Sequence, residues 1–94
     1  MKKTDLQSKY DSRYVVNRLS RAIGHVKLVK TMAESGADCT DLLSQLAVAR
    51  GQVDSIHAHL LAQYAVQFAE DYQRSGEPEE LEQFRRVMLQ SAKK

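Results

Sequence analysis

One thiol, three imidazoles and a set of arginines are the residues of this 94-residue chain whose chemistry goes beyond packing. The thiol, Cys39, lies in DCTDLLSQLAVARG, after a helix-stopping SGA and before a long apolar-periodic run. A thiol in the first turn of a helix feels the positive end of the helix dipole, which favours the thiolate. Thiolate binds soft metals and attacks electrophiles. The neighbouring carboxylates of Asp38 and Asp41 oppose that effect. Three roles stay open for Cys39: a small packing residue, a metal ligand or a reactive sensor. The imidazoles are His25, His57 and His59. His57 and His59 stand two apart, so on a helix they point roughly 160° from each other and cannot chelate one ion. There is no HxxxH or CxxC pair, nucleophile elbow, glycine-rich phosphate loop or paired-carboxylate signature, so the residues make no case for an enzyme.

The basic residues are unevenly spread. Residues 1–36 hold eight Lys/Arg against three acids, and residues 37–72 hold Arg50 alone against five acids. A basic first third suits a polyanion, and it equally suits a solvated helix face. At about 100° per residue, Tyr14, Arg18, Arg21, His25 and Leu28 fall on one helical stripe. That stripe is roughly opposite Leu19, Ile23 and Val26, so Arg18 and Arg21 are expected to point away from the core, with Lys27 and Lys30 elsewhere. Arginine forks fit phosphate oxygens. Arg50 sits among small residues in LAVARGQ, where Ala47, Ala49 and Gly51 would let a neighbouring backbone approach. It is expected either to pair with Asp54, four residues on, or to reach a ligand.

The elements that must position these groups are helices. One proline, four glycines and no strand-like alternation point to an all-α chain. The first helix is predicted from about Asp11, capped by Asp11 or Ser12, to Glu34, with Ser35-Gly36 as its stop. Val16, Leu19, Ile23, Val26 and Met32 or Ala33 give its apolar stripe. The second starts at Asp38 or Cys39. Its apolar positions Leu42, Leu46, Ala49, Val53, Ile56 and Leu60 keep a 3.5-residue step and reach Tyr64 and Phe68, a coiled-coil-like seam over more than 30 residues. The first helix is too short to cover it, so a second copy of the chain is the expected cover. A short third helix opens at Pro78, with Leu81, Phe84 and Met88 on one stripe, and should pack on the main hairpin.

Ninety-four residues suit one domain, 1–94, with 1–10 as a flexible N-terminal arm. A lone cysteine excludes an internal disulfide framework and fits a reducing, cytoplasmic setting. No apolar run approaches the roughly 20 residues needed to span a bilayer, so no membrane partner is expected. MKKTDLQSKYDSRY begins with a basic pair but lacks the apolar stretch of a signal peptide.

Two runs carry a resemblance. Asn17-Arg18-Leu-Ser-Arg21-Ala-Ile-Gly24-His25-Val resembles the first-helix signature N-R-L-x-R-I-x-G-Q-V of the CsoR/RcnR family of bacterial transcriptional repressors. Cys39-x-Asp41-Leu-Leu-x-Gln45-Leu-Ala-x-x-Arg50-Gly51 resembles that family's second-helix opening, at the family's separation and without gaps. The resemblance spans about residues 10–72. It implies a three-helix protomer, an antiparallel four-helix-bundle dimer and a tetramer built as a dimer of dimers. It implies binding to double-stranded operator DNA through basic residues on helix faces, matched here by Arg18, Arg21, Lys27 and Arg50, without a helix-turn-helix. Phosphate contacts and DNA shape would then dominate, with strong salt dependence.

The effector site implied by the resemblance joins Cys39 to two positions of a partner chain, here Tyr64 and Phe68. In copper-sensing members those positions are histidine and cysteine; nickel- and cobalt-sensing members use histidines there. The cofactor implied is a transition metal (copper, nickel or zinc) held through Cys39, although Tyr64 and Phe68 lack the sulfur or imidazole such ions prefer. Persulfide-sensing members need a second cysteine at the later position, and formaldehyde-responsive members pair the matching cysteine with an N-terminal amine. A lone Cys39 walled by Tyr64 and Phe68 of a partner would suit a small electrophile or oxidant. His57 and His59 are kept as candidates for a different metal site. The expected function is a repressor released from its operator when an effector acts at Cys39. The alternative is a helical oligomeric interaction module that has lost effector sensing or DNA binding.

Overall fold

Three helices account for almost all of the chain in the computed structural model, which describes residues 10–93. They are α1 (Ser12–Glu34), α2 (Cys39–Ser75) and α3 (Pro78–Ala92), and there is no strand among the described residues. Except for Tyr10, the expected arm at 1–10 lies outside the described residues.

Each boundary has a chemical cause. Asp11 is extended and accepts a hydrogen bond from the Tyr14 N–H at 3.2 Å, satisfying a donor the first turn leaves free. At the far end of α1, Gly36 turns left-handed at φ 78. There the Ala37 N–H reaches the Met32 carbonyl at 3.0 Å and the Gly36 N–H reaches Ala33 at 3.1 Å. This is the paired closure that a left-handed residue after a helix makes possible. The Asp38 carbonyl then accepts from the Leu42 N–H at 3.0 Å and starts α2. Gly76, at φ 63, closes α2 with one bond to Tyr72 at 2.8 Å. Pro78 begins α3, where its missing N–H costs nothing.

The chain divides into two compact units, Met1–Leu60 and Leu61–Lys94, and α2 runs through the division. In the first unit α1 and the N-terminal part of α2 run antiparallel. Tyr14 meets His59, their ring centroids 4.2 Å apart, and the His25 Nε2–H donates to the Gln45 carbonyl at 3.1 Å. The interior consists of Val15, Ala22 and Val29 from α1, spaced by seven, and Ala49 and Ile56 from α2, also spaced by seven. Small residues at a seven-residue step let two helices approach closely.

On α1 this seam is not the stripe that the periodicity predicts, whereas on α2 it consists of two members of the predicted stripe, Ala49 and Ile56. Val16, Leu19, Ile23 and Val26 are 40–54% exposed, and Leu46 and Val53 are 47% and 48% exposed. On α1 the buried line is rotated from the predicted one by roughly a quarter turn; on α2 the buried Ala49 and Ile56 belong to the predicted line, and the exposed Leu46 and Val53 lie to one side of them in the same rotational sense as the exposed line on α1. Because the helices are antiparallel, that shared sense brings the two exposed apolar lines to one side of the hairpin.

In the second unit, the C-terminal part of α2 packs on α3 through aromatic rings. Phe68 and Phe84 stack at 4.1 Å, Tyr64 and Phe84 at 5.9 Å, and Phe68 and Tyr72 at 5.3 Å. No residue of α3 is fully buried; Phe84, Val87 and Met88 are half-buried, and Phe84 makes the ring contacts. Ser75 steadies the corner: its hydroxyl donates to Glu80 at 2.6 Å and accepts from the Glu77 N–H at 3.3 Å.

Candidate functional site

Arg18, Arg21 and Lys27 project from α1 and Arg50 from α2, and all four are exposed. None has an acidic partner among the described residues; the ion pairs there are Lys30–Glu34, Arg74–Asp71 and Arg85–Glu82. The i,i+4 pairing of Arg50 with Asp54 is thus not made. The contacts Tyr14–His59 and His25–Gln45 fix the antiparallel register and bring Arg50 to the level of Arg21. By helical angle, however, Arg21 lies on the side away from the exposed apolar lines, whereas Lys27 and Arg50 lie on the outer backs of their helices. One chain does not turn all four toward a single plane.

The stripe Tyr14–Arg18–Arg21–His25–Leu28 is divided rather than uniformly outward. Tyr14 and His25 are half-buried and turn toward α2, while Arg18, Arg21 and Leu28 face solvent. The Arg18 guanidinium lies over the Tyr14 ring, 4.7 Å from its centroid. Helical spacing puts Tyr14 and Arg18 on one stripe but does not reveal His59 as the third member of the stack. The signal for it is a seven-residue step on α2, Gln45-Gln52-His59, that brings polar residues to the seam.

Cys39 is the first residue of α2, exposed and free. Of the packing, ligand and sensor roles, exposure removes the first within the single chain. Tyr64 and Phe68, the other two expected effector positions, are half-buried and occupied by their contacts with Phe84. Burial raises the Tyr64 phenol above its ordinary value and keeps it protonated. His57 is exposed, whereas His59 is turned into the seam with its Nε2 buried and unpartnered, and they diverge as their spacing requires.

A transition metal does not fit this donor set. No three His, Cys, Asp or Glu side chains come together among the described residues. The positions expected to form the effector site offer one thiol, a protonated phenol and a ring without a donor, where a soft or borderline ion wants several sulfur or imidazole ligands.

These features define an all-helical protein with unpaired arginines on its helix faces and a solitary thiol at a helix start. The family model for metal-sensitive transcriptional repressors matches residues 11–90, and the chain belongs to that family. The resemblance read from the two sequence runs is therefore confirmed, over a longer span than those runs cover. Comparison with curated proteins and with solved structures gives no match. No described helix is long and apolar enough to cross a membrane.

Proposed function

We propose that the chain, as one domain over 1–94, is a transcriptional repressor that binds double-stranded operator DNA as a homo-oligomer, with Arg18, Arg21, Lys27 and Arg50 as its phosphate contacts. The observation that carries this reading is the set of four exposed cations without acidic partners among the described residues, in a chain of repressor family. Unpaired arginines retain their full attraction for phosphate and release counterions when they bind it. Their spread over several faces of one hairpin calls for more than one chain along the duplex.

The assembly proposed is an antiparallel dimer closed over the exposed Val16, Leu19, Ile23, Val26, Leu46 and Val53, and then a dimer of dimers. Effector action is assigned to Cys39. Tyr64 stands 25 residues after Cys39 on the same helix, so only another chain running in the opposite direction brings the two together. The donor set favours an electrophile or a reactive sulfur species that bonds to the thiol over a metal ion. Sulfur modification would favour an arrangement of chains whose arginines no longer match the duplex.

The test is a salt titration of binding to duplex DNA from the chain's own upstream region. Arg50→Ala is expected to weaken binding by at least tenfold and to reduce the salt slope, with helical content unchanged. Wild-type affinity in that variant would remove Arg50 from the interface. Wild-type protein that binds with no salt slope, or not at all, would favour the interaction module.

A further inference from the structure

Arg18 is exposed but not loose. Its guanidinium carbon sits 4.7 Å from the centroid of the Tyr14 ring. That ring is itself braced from α2, with the His59 imidazole 4.2 Å away and tilted by 39°. Tyr14 and His59 are half-buried and Arg18 is exposed, so the Tyr14 ring links an exposed guanidinium to an imidazole in the seam between α1 and α2. The Nε2 of His59 is buried without a hydrogen-bond partner, so the stack uses the flat face of the imidazole and not that nitrogen.

A guanidinium over an aromatic face keeps its N–H donors, which lie in its own plane, free at the edge. It can rest on the ring and still fork onto a phosphate. An arginine left free gives up several rotamers when it docks on DNA, and that entropy cost weakens binding. The ring removes much of the cost beforehand.

We infer that the Tyr14–His59 stack is a positioning platform for Arg18, so that the packing of α2 against α1 sets the geometry of a DNA-contacting arginine. Tyr14 and His59 touch no DNA in this arrangement; they act through Arg18. The inference rests on the proposed DNA contact of Arg18.

The experiment is a mutant cycle on the full-length protein with duplex DNA from its own upstream region, measured over a series of KCl concentrations and paired with thermal melts. Arg18→Ala is expected to weaken binding and to lower the salt slope by about one for each phosphate that goes unneutralised. Tyr14→Leu is expected to weaken binding about three- to tenfold with the slope unchanged, since the charge is still present but no longer held. Tyr14→Phe, which keeps the ring, should restore affinity. The double variant Tyr14→Leu/Arg18→Ala should bind no more weakly than Arg18→Ala alone. The same cycle run from His59→Leu, at the far end of the stack, guards against unfolding at Tyr14. If Arg18→Ala weakens binding while Tyr14→Leu and His59→Leu bind like wild type, the platform is overturned and the DNA contact stands. Full additivity in both cycles also overturns the platform. If Arg18→Ala binds with wild-type affinity and slope, the DNA contact itself is wrong.

Discussion

At the scale of single residues, the chain separates groups that hold the fold from groups left for other molecules. Gly36 belongs to the first kind. A methyl group there would meet nothing within 4 Å, yet the backbone is left-handed at φ 78. Gly36→Ala should therefore cost about 1 kcal/mol through backbone strain alone, read as a lower urea midpoint with an unchanged slope. Tyr64 holds the fold through a neutral phenol. Burial raises its folded-state value, so the folded chain keeps the proton more tightly than the unfolded one. The stabilisation is complete below the unfolded phenol value of 10.0 and fades as pH rises through the folded one. Melting temperature followed from pH 8 to 11 should fall, and Tyr64→Phe should remove part of that fall. Cys39, exposed and free, is of the second kind in the function proposed above. Cys39→Ala should still bind DNA and fail to be released by thiol-reactive inducers; release of that variant would take the sulfur out of the mechanism.

At the scale of elements, the helix ends were legible because they depend on neighbours in sequence. Asp11, Gly36, Cys39 and Pro78 mark boundaries by local chemistry, and the structure puts the boundaries there. Which face α1 buries was not legible, whereas the line predicted for α2 contained its two buried residues, Ala49 and Ile56. Val15, Ala22 and Val29 and the line Val16, Leu19, Ile23 and Val26 are both apolar and adjacent on α1, and periodicity alone favours the bulkier line. The smaller residues face α2 because close helix contact needs small side chains, a condition visible only once the second helix is in place. α3 was expected to pack on the main hairpin, and within the second unit it does so against the long helix, stacking Phe84 on Tyr64 and Phe68. Of the candidate site, the outward position of Arg18 and Arg21 followed from the pattern, whereas the choice for Arg50 between pairing with Asp54 and standing free did not. The pairing of Tyr14 with His59 depends on antiparallel register and did not. The ring stack makes its own prediction. Phe84→Ala should cost roughly 1–3 kcal/mol, less than a fully buried ring, and should raise amide exchange in α3 before it disturbs α1.

At the scale of the whole molecule, the described residues bury only Val15, Ala22, Val29, Ala49 and Ile56 as apolar core, while large apolar side chains line the open side of the hairpin. An exposed apolar line of this kind marks a contact surface. Ile23→Asp should break the assembly, giving monomers by sedimentation and a melting temperature below that of wild type. A variant that sediments like wild type would move the contact elsewhere. For wild type, the melting temperature should rise with protein concentration, as mass action requires when association and folding are linked.

An interior of five modest side chains also bears on the life of a newly made copy. In the proposed assembly, a copy that has not yet met its twin would open readily, and a protease could cut what opens. The standing level of the protein would then depend on how fast copies find each other as well as on how fast they are synthesised. A cell making too few would lose them faster than dilution alone predicts.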